Sequence, residues 1–238
     1  MTTHIVAAGG GGFSMSQLGA PTSLDNYILD LTGKRSPLVC FAPTASADDP
    51  QYINKFLMAY GTLGVRTMVL TLWGADARRS VERIAEADVL LVGGGHTVNL
   101  IALWKAHSVD KAIAARVQAS DVVLAGVSAG GGAWFEGCVT DSFGDVAAWN
   151  GGLGLLKGSF CSHFDGEAER APVYTEAVAN GDLPGGWACD DGAAVHFVDG
   201  QPHKFVSEGK GPKVYQVMPS DLPTSSGVLC EAQEMVVL

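Results

Sequence analysis

The chain has 238 residues, of which 47% are hydrophobic and 17% are charged, and its formal net charge is −10. This length and composition predict one globular domain over residues 1–238 with a large buried core, a length that α/β domains often reach. The excess of negative charge repels phosphate backbones and anionic lipids, which argues against nucleic acids and membrane surfaces as partners.

The first residues lead directly into an apolar run over 5–8, without the basic and long apolar regions of a signal peptide. No apolar stretch reaches the roughly 18 residues that a membrane span needs. The five cysteines are odd in number and widely spaced, which is typical of free thiols in a reducing compartment. We therefore expect a cytoplasmic protein, either a monomer or a homodimer.

Short continuous apolar runs alternate with longer amphipathic segments through the first 140 residues. The apolar runs predict strands at 4–8, 37–42, 66–70, 89–92 and 122–126. Helical spacing of apolar residues predicts helices over 49–63, 75–87 and 97–119. Asp48 or Asp49 can cap the first of these helices, with Pro50 in its first turn. This alternation predicts a doubly wound, mostly parallel sheet.

The last third of the chain changes character. Shorter runs separated by turn signals predict strands at 187–190, 193–198, 203–206 and 214–218. We expect these strands to be partly antiparallel and to extend the same sheet.

The strongest chemical signal is Gly126-Val127-Ser128-Ala129-Gly130, which directly follows a buried strand and precedes a helix-compatible segment over 129–136. A serine on such a sharp turn projects above the sheet, and the flanking glycines remove side chains that would crowd it. The following helix N-terminus offers free N–H groups to a developing oxyanion. The pattern favours Ser128 as a nucleophile over a structural, N-capping serine.

A second glycine turn, Gly93-Gly94-Gly95-His96-Thr97, follows the strand at 89–92. Both turns come at the carboxyl ends of strands, where open α/β sheets bind ligands. An oxyanion hole needs one donor after the nucleophile, here Ala129, and one from a neighbouring loop, for which we prefer Gly95 over Gly94. The turn lacks a Walker lysine and the full dinucleotide-binding spacing, which argues against nucleotide binding.

A serine nucleophile needs a general base within hydrogen-bond reach, and the chain has six histidines. Four have positions typical of packed or surface residues: His4, His107, His196 and His203. His163 follows a strand-like segment at 159–161 and precedes a polar stretch, so we expect it in a loop at a strand end. The residues alone favour His163 as the base, with His96 as the alternative.

The order of these residues along the chain is informative. An α/β-hydrolase carries its acid between the serine and the histidine. In this chain the histidine follows the serine, and the acid candidates Asp190 and Asp191 come after both. The order therefore argues against an α/β-hydrolase.

The segments GGGHT, GVSAGG, SHFDGEAER and ACDDGAAVHFVDG occur in this order within roughly residues 5–200. Together they resemble the peptidase E (aspartyl dipeptidase) family of serine peptidases, which shares its fold with class I glutamine amidotransferases and is related to cyanophycinase. The resemblance implies a flavodoxin-like sheet, a serine where amidotransferases carry cysteine, and neither metal nor organic cofactor.

Carried over by motif, the resemblance implies a Ser128 nucleophile, a His163 base and an oxyanion hole formed by Gly95 and Ala129. The acidic residue of the family's D/E-G segment falls on Asp191, which would orient His163, with Asp190 as its rival. The implied partners are small peptide substrates, including Asp-X dipeptides.

Two positions bear on substrate choice. His96 stands where family members commonly carry asparagine, and it either lines the substrate pocket or hydrogen-bonds the loop. Arg170 matches an arginine common in this segment and either binds a substrate carboxylate or pairs with Glu167 or Glu169. The segment around Arg170 is shorter than in aspartyl dipeptidase itself, so aspartate specificity does not carry over with the family resemblance.

Two alternatives compete with a dipeptidase. An isopeptidase or esterase of cyanophycinase type would use the same fold and nucleophile on branched Asp–Arg substrates. A non-catalytic ligand-binding protein would keep the fold alone, although it would have little use for a serine, a histidine, an acid and two glycine turns together.

Overall fold

The computed structural model describes residues 1–17, 19–220 and 227–238. The strands are β1 (Thr3–Ala8), β2 (Leu38–Ala42), β3 (Arg66–Val69), β4 (Val89–Val92), β5 (Val122–Val127), β6 (Gly137–Thr140), β7 (Ala147–Trp149), β8 (Ser159–Cys161), β9 (Gly186–Cys189), β10 (Ala193–Val198), β11 (Gln201–Ser207), β12 (Val214–Pro219), β13 (Val228–Ala232) and β14 (Val236–Val237). The α-helices are α1 (Gly12–Met15), α2 (Ser23–Asp30), α3 (Pro50–Gly61), α4 (Ala77–Glu82), α5 (Thr97–His107), α6 (Val109–Ala119), α7 (Ala129–Gly132) and α8 (Arg170–Asn180).

The main sheet has the order β14-β11-β10-β1-β5-β4-β2-β3 in the described part of the chain. The neighbours from β1 to β3 are parallel, whereas β10 joins β1 antiparallel. Both faces are covered, since alternate strand residues pack into different core clusters, with Ile5 and Ala7 in one and Val6 and Ala8 in the other. The predicted doubly wound, mostly parallel α/β fold is confirmed.

The strand pairing brings the two glycine turns together. Val92 at the end of β4 pairs with Gly126 near the end of β5, so the loops that follow these strands are neighbours. A Cβ atom added to Gly94 would lie 3.3 Å from Ser128 Cβ. The carboxyl edge of the parallel strands therefore holds both chemical motifs, as the sequence predicted.

The expectation that the C-terminal strands extend the main sheet, partly antiparallel, is confirmed for two of the four strands and wrong for the other two. Strands β10 and β11 join the main sheet, but β9 and β12 belong to a second sheet with the order β13-β12-β9-β8-β6-β7. The switch occurs at Gly192, whose φ of +77° and neighbouring turn hydrogen bond from Ala193 N to Asp190 O redirect the chain. Because the partners of β9 are distant in sequence, the local pattern of the segment could not reveal its sheet.

The helix predictions hold in part. Helix α3 begins as predicted, with Asp49 accepting a hydrogen bond from Gln51 N at 2.7 Å and Pro50 in the first turn. The continuous helix predicted over 97–119 is wrong, because Ser108 adopts φ +60° and separates α5 from α6. None of the helices in the described ranges combines the length and the apolar character needed to cross a bilayer.

A pair of histidines, His4 and His196, links the neighbouring strands β1 and β10 of the main sheet. His196 is 2% exposed; its Nε2 lies 2.9 Å from His4 Nδ1, and its Nδ1 lies 2.8 Å from the Tyr27 hydroxyl. Burial, with smaller contributions from the neighbouring charges of His4, His203 and Lys204, lowers the pKa of His196 to about 4. The folded protein therefore holds this imidazole neutral in a pH range where the unfolded chain protonates it.

This depressed pKa predicts acid sensitivity. Between pH 6.5 and pH 4, His196 is protonated in the unfolded state but stays neutral in the folded state. The contribution of the neutral imidazole to the free energy of unfolding is therefore complete above pH 6.5 and is lost as the pH falls towards 4. We expect the free energy of unfolding of wild type, measured relative to that of His196→Gln, to fall by about 3 kcal/mol between pH 7.5 and pH 4. Urea unfolding at both pH values measures this, with the exposed His107→Gln as control. An advantage that does not change with pH would contradict the prediction.

Candidate active site

Ser128 lies on a tight turn between β5 and α7. Its φ of 55° and ψ of −116° are rare for a residue with a side chain and are of the kind found at functional turns. A Cβ on Gly126 would lie 2.2 Å from Gly130 O, and a Cβ on Gly130 would lie 2.4 Å from Val92 O. The flanking glycines are therefore required for the turn that holds Ser128 at the edge of the sheet.

His163 and Asp191 come from the ends of β8 and β9, which are parallel neighbours in the second sheet. His163 Nδ1 lies 2.6 Å from Asp191 Oδ1. A Cβ on Gly10 would lie 2.0 Å from Asp191 Oδ1, and one on Gly166 would lie 2.5 Å from Oδ2. Two glycines thus leave the space that the Asp191 carboxylate occupies, and His163 turns Nε2 away from it.

The neighbouring Asp190 has different contacts. It is 4% exposed, and its Oδ2 accepts a hydrogen bond from Lys213 N at 2.8 Å. Burial is the main cause that raises its pKa. Its Oδ1 has no hydrogen-bond partner among the described residues. The carboxylate that the structure places against His163 is that of Asp191.

The backbone N–H groups of the two glycine turns differ in whether they already have a hydrogen-bond partner. Gly94 N donates to the Tyr52 hydroxyl at 3.3 Å. Gly95 has a φ of +135°, and its Cβ would lie 2.3 Å from Ala45 O, so this position admits only glycine. In the described part of the chain, the N–H of Gly95 has no partner, and that of Ala129 opens helix α7 and has none within it. Both amides are therefore available to a ligand at this edge of the sheet.

A cavity of about 440 Å³ opens in front of the serine. Ser128 and His163 both line it, and within residues 1–17, 19–220 and 227–238 no hydrogen bond joins their side chains. Such bonds are often formed only once substrate is bound. The remaining lining residues are Ser14, Met15, Asp49, Gln51, Tyr52, Lys55, Gly94, Gly95 and Val127.

Arg170 and Ser128 both line a second, narrow space of about 10 Å³. Its side chain is 5% exposed and donates to Glu167 Oε2 at 2.6 Å and to Val139 O at 3.1 Å. A further nitrogen lies 3.9 Å from Asp141 Oδ1. Arg170 thus has the ion pair with Glu167 that the sequence allowed as its structural role.

His96 caps helix α5, where its Nδ1 accepts a weak hydrogen bond from Asn99 N at 3.4 Å. Its side chain lines a separate, mostly apolar cavity of about 640 Å³ with Trp73 and Leu103. The structure does not bring His96 into the cavity that contains Ser128.

Three of the cavity residues that the sequence analysis did not single out are held by hydrogen bonds next to Ser128: Ser14, Tyr52 and Lys55. Tyr52 lies within the helix predicted over 49–63, and its hydroxyl contacts Gly94 N and Ser14 Oγ. Lys55, one turn further along α3, donates to Ser14 O at 2.6 Å. The Gly-rich end of β1 was the available signal for Ser14, because it lies at the same carboxyl edge as the other turns.

Within the described residues, neither the cysteines nor the acidic side chains form a competing catalytic or metal-binding centre. Burial raises the pKa of the Cys138 thiol to about 12, and it also raises the pKa of the Cys161 thiol. Both thiols are therefore protonated and unreactive at neutral pH. The described residues contain no group of His, Cys, Asp and Glu side chains arranged to hold a metal ion.

Comparison with known proteins identifies the family. Residues 5–205 match the model of peptidase family S51. The chain is 44% identical over 215 residues to an uncharacterized peptidase, YgaJ, of Bacillus subtilis (strain 168), covering 90% of this chain and 92% of that protein.

Two crystal structures share the fold. A peptidase from an acI-B1 actinobacterium superposes with a TM-score of 0.67 at 15% identity, over 98% of this chain and 96% of that one. A peptidase E-type protein from Listeria monocytogenes EGD-e superposes with a TM-score of 0.59 at 16% identity, over 91% and 99%. The chain belongs to peptidase family S51 and is a serine-type peptidase.

Proposed function

We propose that this peptidase hydrolyses short peptides through a Ser128–His163–Asp191 triad and an acyl-enzyme. The observation that carries the proposal is the 2.6 Å contact between His163 Nδ1 and Asp191 Oδ1, at a cavity that also contains Ser128 on its strained turn. The carboxylate holds the imidazole in the tautomer that carries a proton on Nδ1, which leaves Nε2 as the base.

The first half of the reaction acylates the serine. His163 Nε2 takes the hydroxyl proton of Ser128 as Oγ attacks the scissile carbonyl carbon. The carbonyl oxygen becomes an oxyanion that the N–H groups of Gly95 and Ala129 bind, each contributing roughly 3–4 kcal/mol in comparable sites. The imidazolium, stabilised by Asp191, then protonates the leaving amine as the C–N bond breaks.

The second half releases the acyl group. Water enters the cavity, gives a proton to His163 Nε2 and attacks the acyl carbon. The tetrahedral intermediate collapses with the proton returning to Ser128 Oγ, which regenerates the enzyme.

The size of the cavity supports short substrates. Its volume of about 440 Å³ lies near the lower end of the range typical for small-molecule sites, roughly 300–1,000 Å³. A dipeptide or a similarly small amide fits such a volume better than a segment of a folded protein.

Active-site labelling tests the proposal. We expect a fluorophosphonate probe to add once to the wild-type protein, on Ser128, and to add to neither Ser128→Ala nor His163→Ala, as read by intact mass and peptide mapping. A folded wild-type protein that forms no adduct would overturn the triad and favour a binding protein. Screening dipeptides and branched Asp–Arg substrates then separates a dipeptidase from an isopeptidase.

A further inference from the structure

Two cationic side chains, Arg170 and Lys55, lie near Ser128, and they differ in how many hydrogen bonds and ion pairs they already make. Arg170 already contacts Glu167, Val139 O and Asp141, and the space that it shares with Ser128 is only about 10 Å³. A substrate group can reach its guanidinium only by displacing these partners. Arg170 is therefore poorly placed to bind a substrate carboxylate in this chain.

Unlike Arg170, Lys55 lies at a large cavity and has no ion-pair partner among the described residues. It lines the cavity of about 440 Å³ together with Ser128 and His163. Its Nζ donates to Ser14 O at 2.6 Å, which fixes the ammonium at the cavity wall. Within the described residues, no carboxylate lies within ion-pair distance of this nitrogen. Since an ammonium has three N–H donors, two remain for a substrate.

The other charged groups around the cavity cannot bind a substrate carboxylate in place of Lys55. Asp49 also lines it, but that carboxylate is exposed to water and accepts the capping hydrogen bond from Gln51 N. The chain as a whole carries a net charge of −10, which repels acidic substrates. A substrate carboxylate therefore needs a local cation, and the unpaired ammonium in the serine cavity supplies one.

We propose that the ammonium of Lys55 binds a carboxylate of the peptide substrate while Ser128 attacks its scissile carbonyl. This inference rests on the proposed function, because it names the substrate class of the same site. The carboxylate belongs either to an acidic side chain or to the C-terminus of the peptide. Both make the same charge-assisted hydrogen bond with a lysine.

Four peptides distinguish the two sources: Asp-Leu, Asn-Leu, Asp-Leu-amide and Asn-Leu-amide. They carry both carboxylates, the terminal one only, the side-chain one only and neither. We expect Lys55→Met to lower kcat/KM by about 10- to 100-fold, mainly through KM, on the peptides that carry the bound carboxylate. Lys55→Arg should recover part of the loss. Lys111→Met, which removes an exposed lysine from α6, is the matched control.

The peptides on which Lys55→Met loses kcat/KM show which carboxylate Lys55 binds. A loss confined to the peptides with a free C-terminus assigns the terminal carboxylate, and a loss confined to the aspartyl peptides assigns the side chain. An equal loss on all four peptides, or no loss on any, overturns the proposal. An unchanged rate of fluorophosphonate labelling in Lys55→Met shows that the triad is intact.

A binding readout separates this proposal from the proposed function. Each peptide is also tested as a competitor of fluorophosphonate labelling, which requires binding to the cavity but not hydrolysis. If peptides compete in a Lys55-dependent way without being cleaved, the carboxylate site stands and the peptidase substrate class fails. If none competes more strongly with wild type than with Lys55→Met, the carboxylate site is wrong even where peptides are cleaved.

Discussion

Ser128→Ala, His163→Ala and the double variant are each expected to lower the turnover of a peptide substrate by a similar factor of about 10⁶. The effects do not add, because the serine and its base act as one unit in the proposed mechanism. Without the base the hydroxyl is a weak nucleophile, and without the hydroxyl the base has no proton to take from the enzyme. Steady-state kinetics of the three variants measure this.

Residual activity should come from binding and from the free amides of Gly95 and Ala129, since neither substitution removes them. Unchanged circular dichroism and thermal unfolding serve as controls for the fold. Losses that multiply in the double variant would show that the two residues act independently, which the proposed mechanism does not allow.

Asp191→Asn is expected to lower kcat by about 10⁴-fold while leaving the fold intact. The amide of the new asparagine can donate to His163 Nδ1, at the position where Asp191 Oδ1 now lies 2.6 Å away. The imidazole would then carry its proton on Nε2 and could not accept one from Ser128. Kinetics on the same peptide substrate check this expectation.

The adjacent aspartate provides the matched control. Asp190→Asn makes the same chemical change one residue away, at a buried carboxylate bonded to Lys213 N. We expect that variant to retain activity within about threefold of wild type, because asparagine keeps an oxygen to accept that bond. If Asp190→Asn were the more damaging substitution, Asp190 would be the residue that orients the base.

Much of the fold was readable from the sequence, because its signals are local. Continuous apolar runs predicted β1, β2, β4 and β5, since strands of a parallel sheet bury both faces. The N-cap and proline predicted the start of α3. The break at Ser108 was not readable, because a serine with φ +60° leaves the apolar periodicity of the surrounding residues unchanged.

The division into two sheets depended on distant contacts. Strands β9 and β10 are separated by only a short turn, yet β9 pairs with β8 and β12 while β10 pairs with β1 and β11. Each segment has the composition of a buried strand. Only the identity of the partners, which lie far away along the chain, assigns them to different sheets.

By itself, the sequence determined the fold class, the family and the presence of Ser128 on a glycine-flanked turn. The fold class follows from local patterning, and the turn follows from backbone angles that glycine adopts easily. The family follows from the resemblance of its ordered motifs to peptidase E. Tertiary structure decided which of two adjacent aspartates meets His163, which glycine amide stays free, and that Arg170 is occupied while Lys55 lines the cavity. Such choices between neighbouring residues depend on the direction in which each side chain or N–H points, and packing between segments distant in sequence sets that direction.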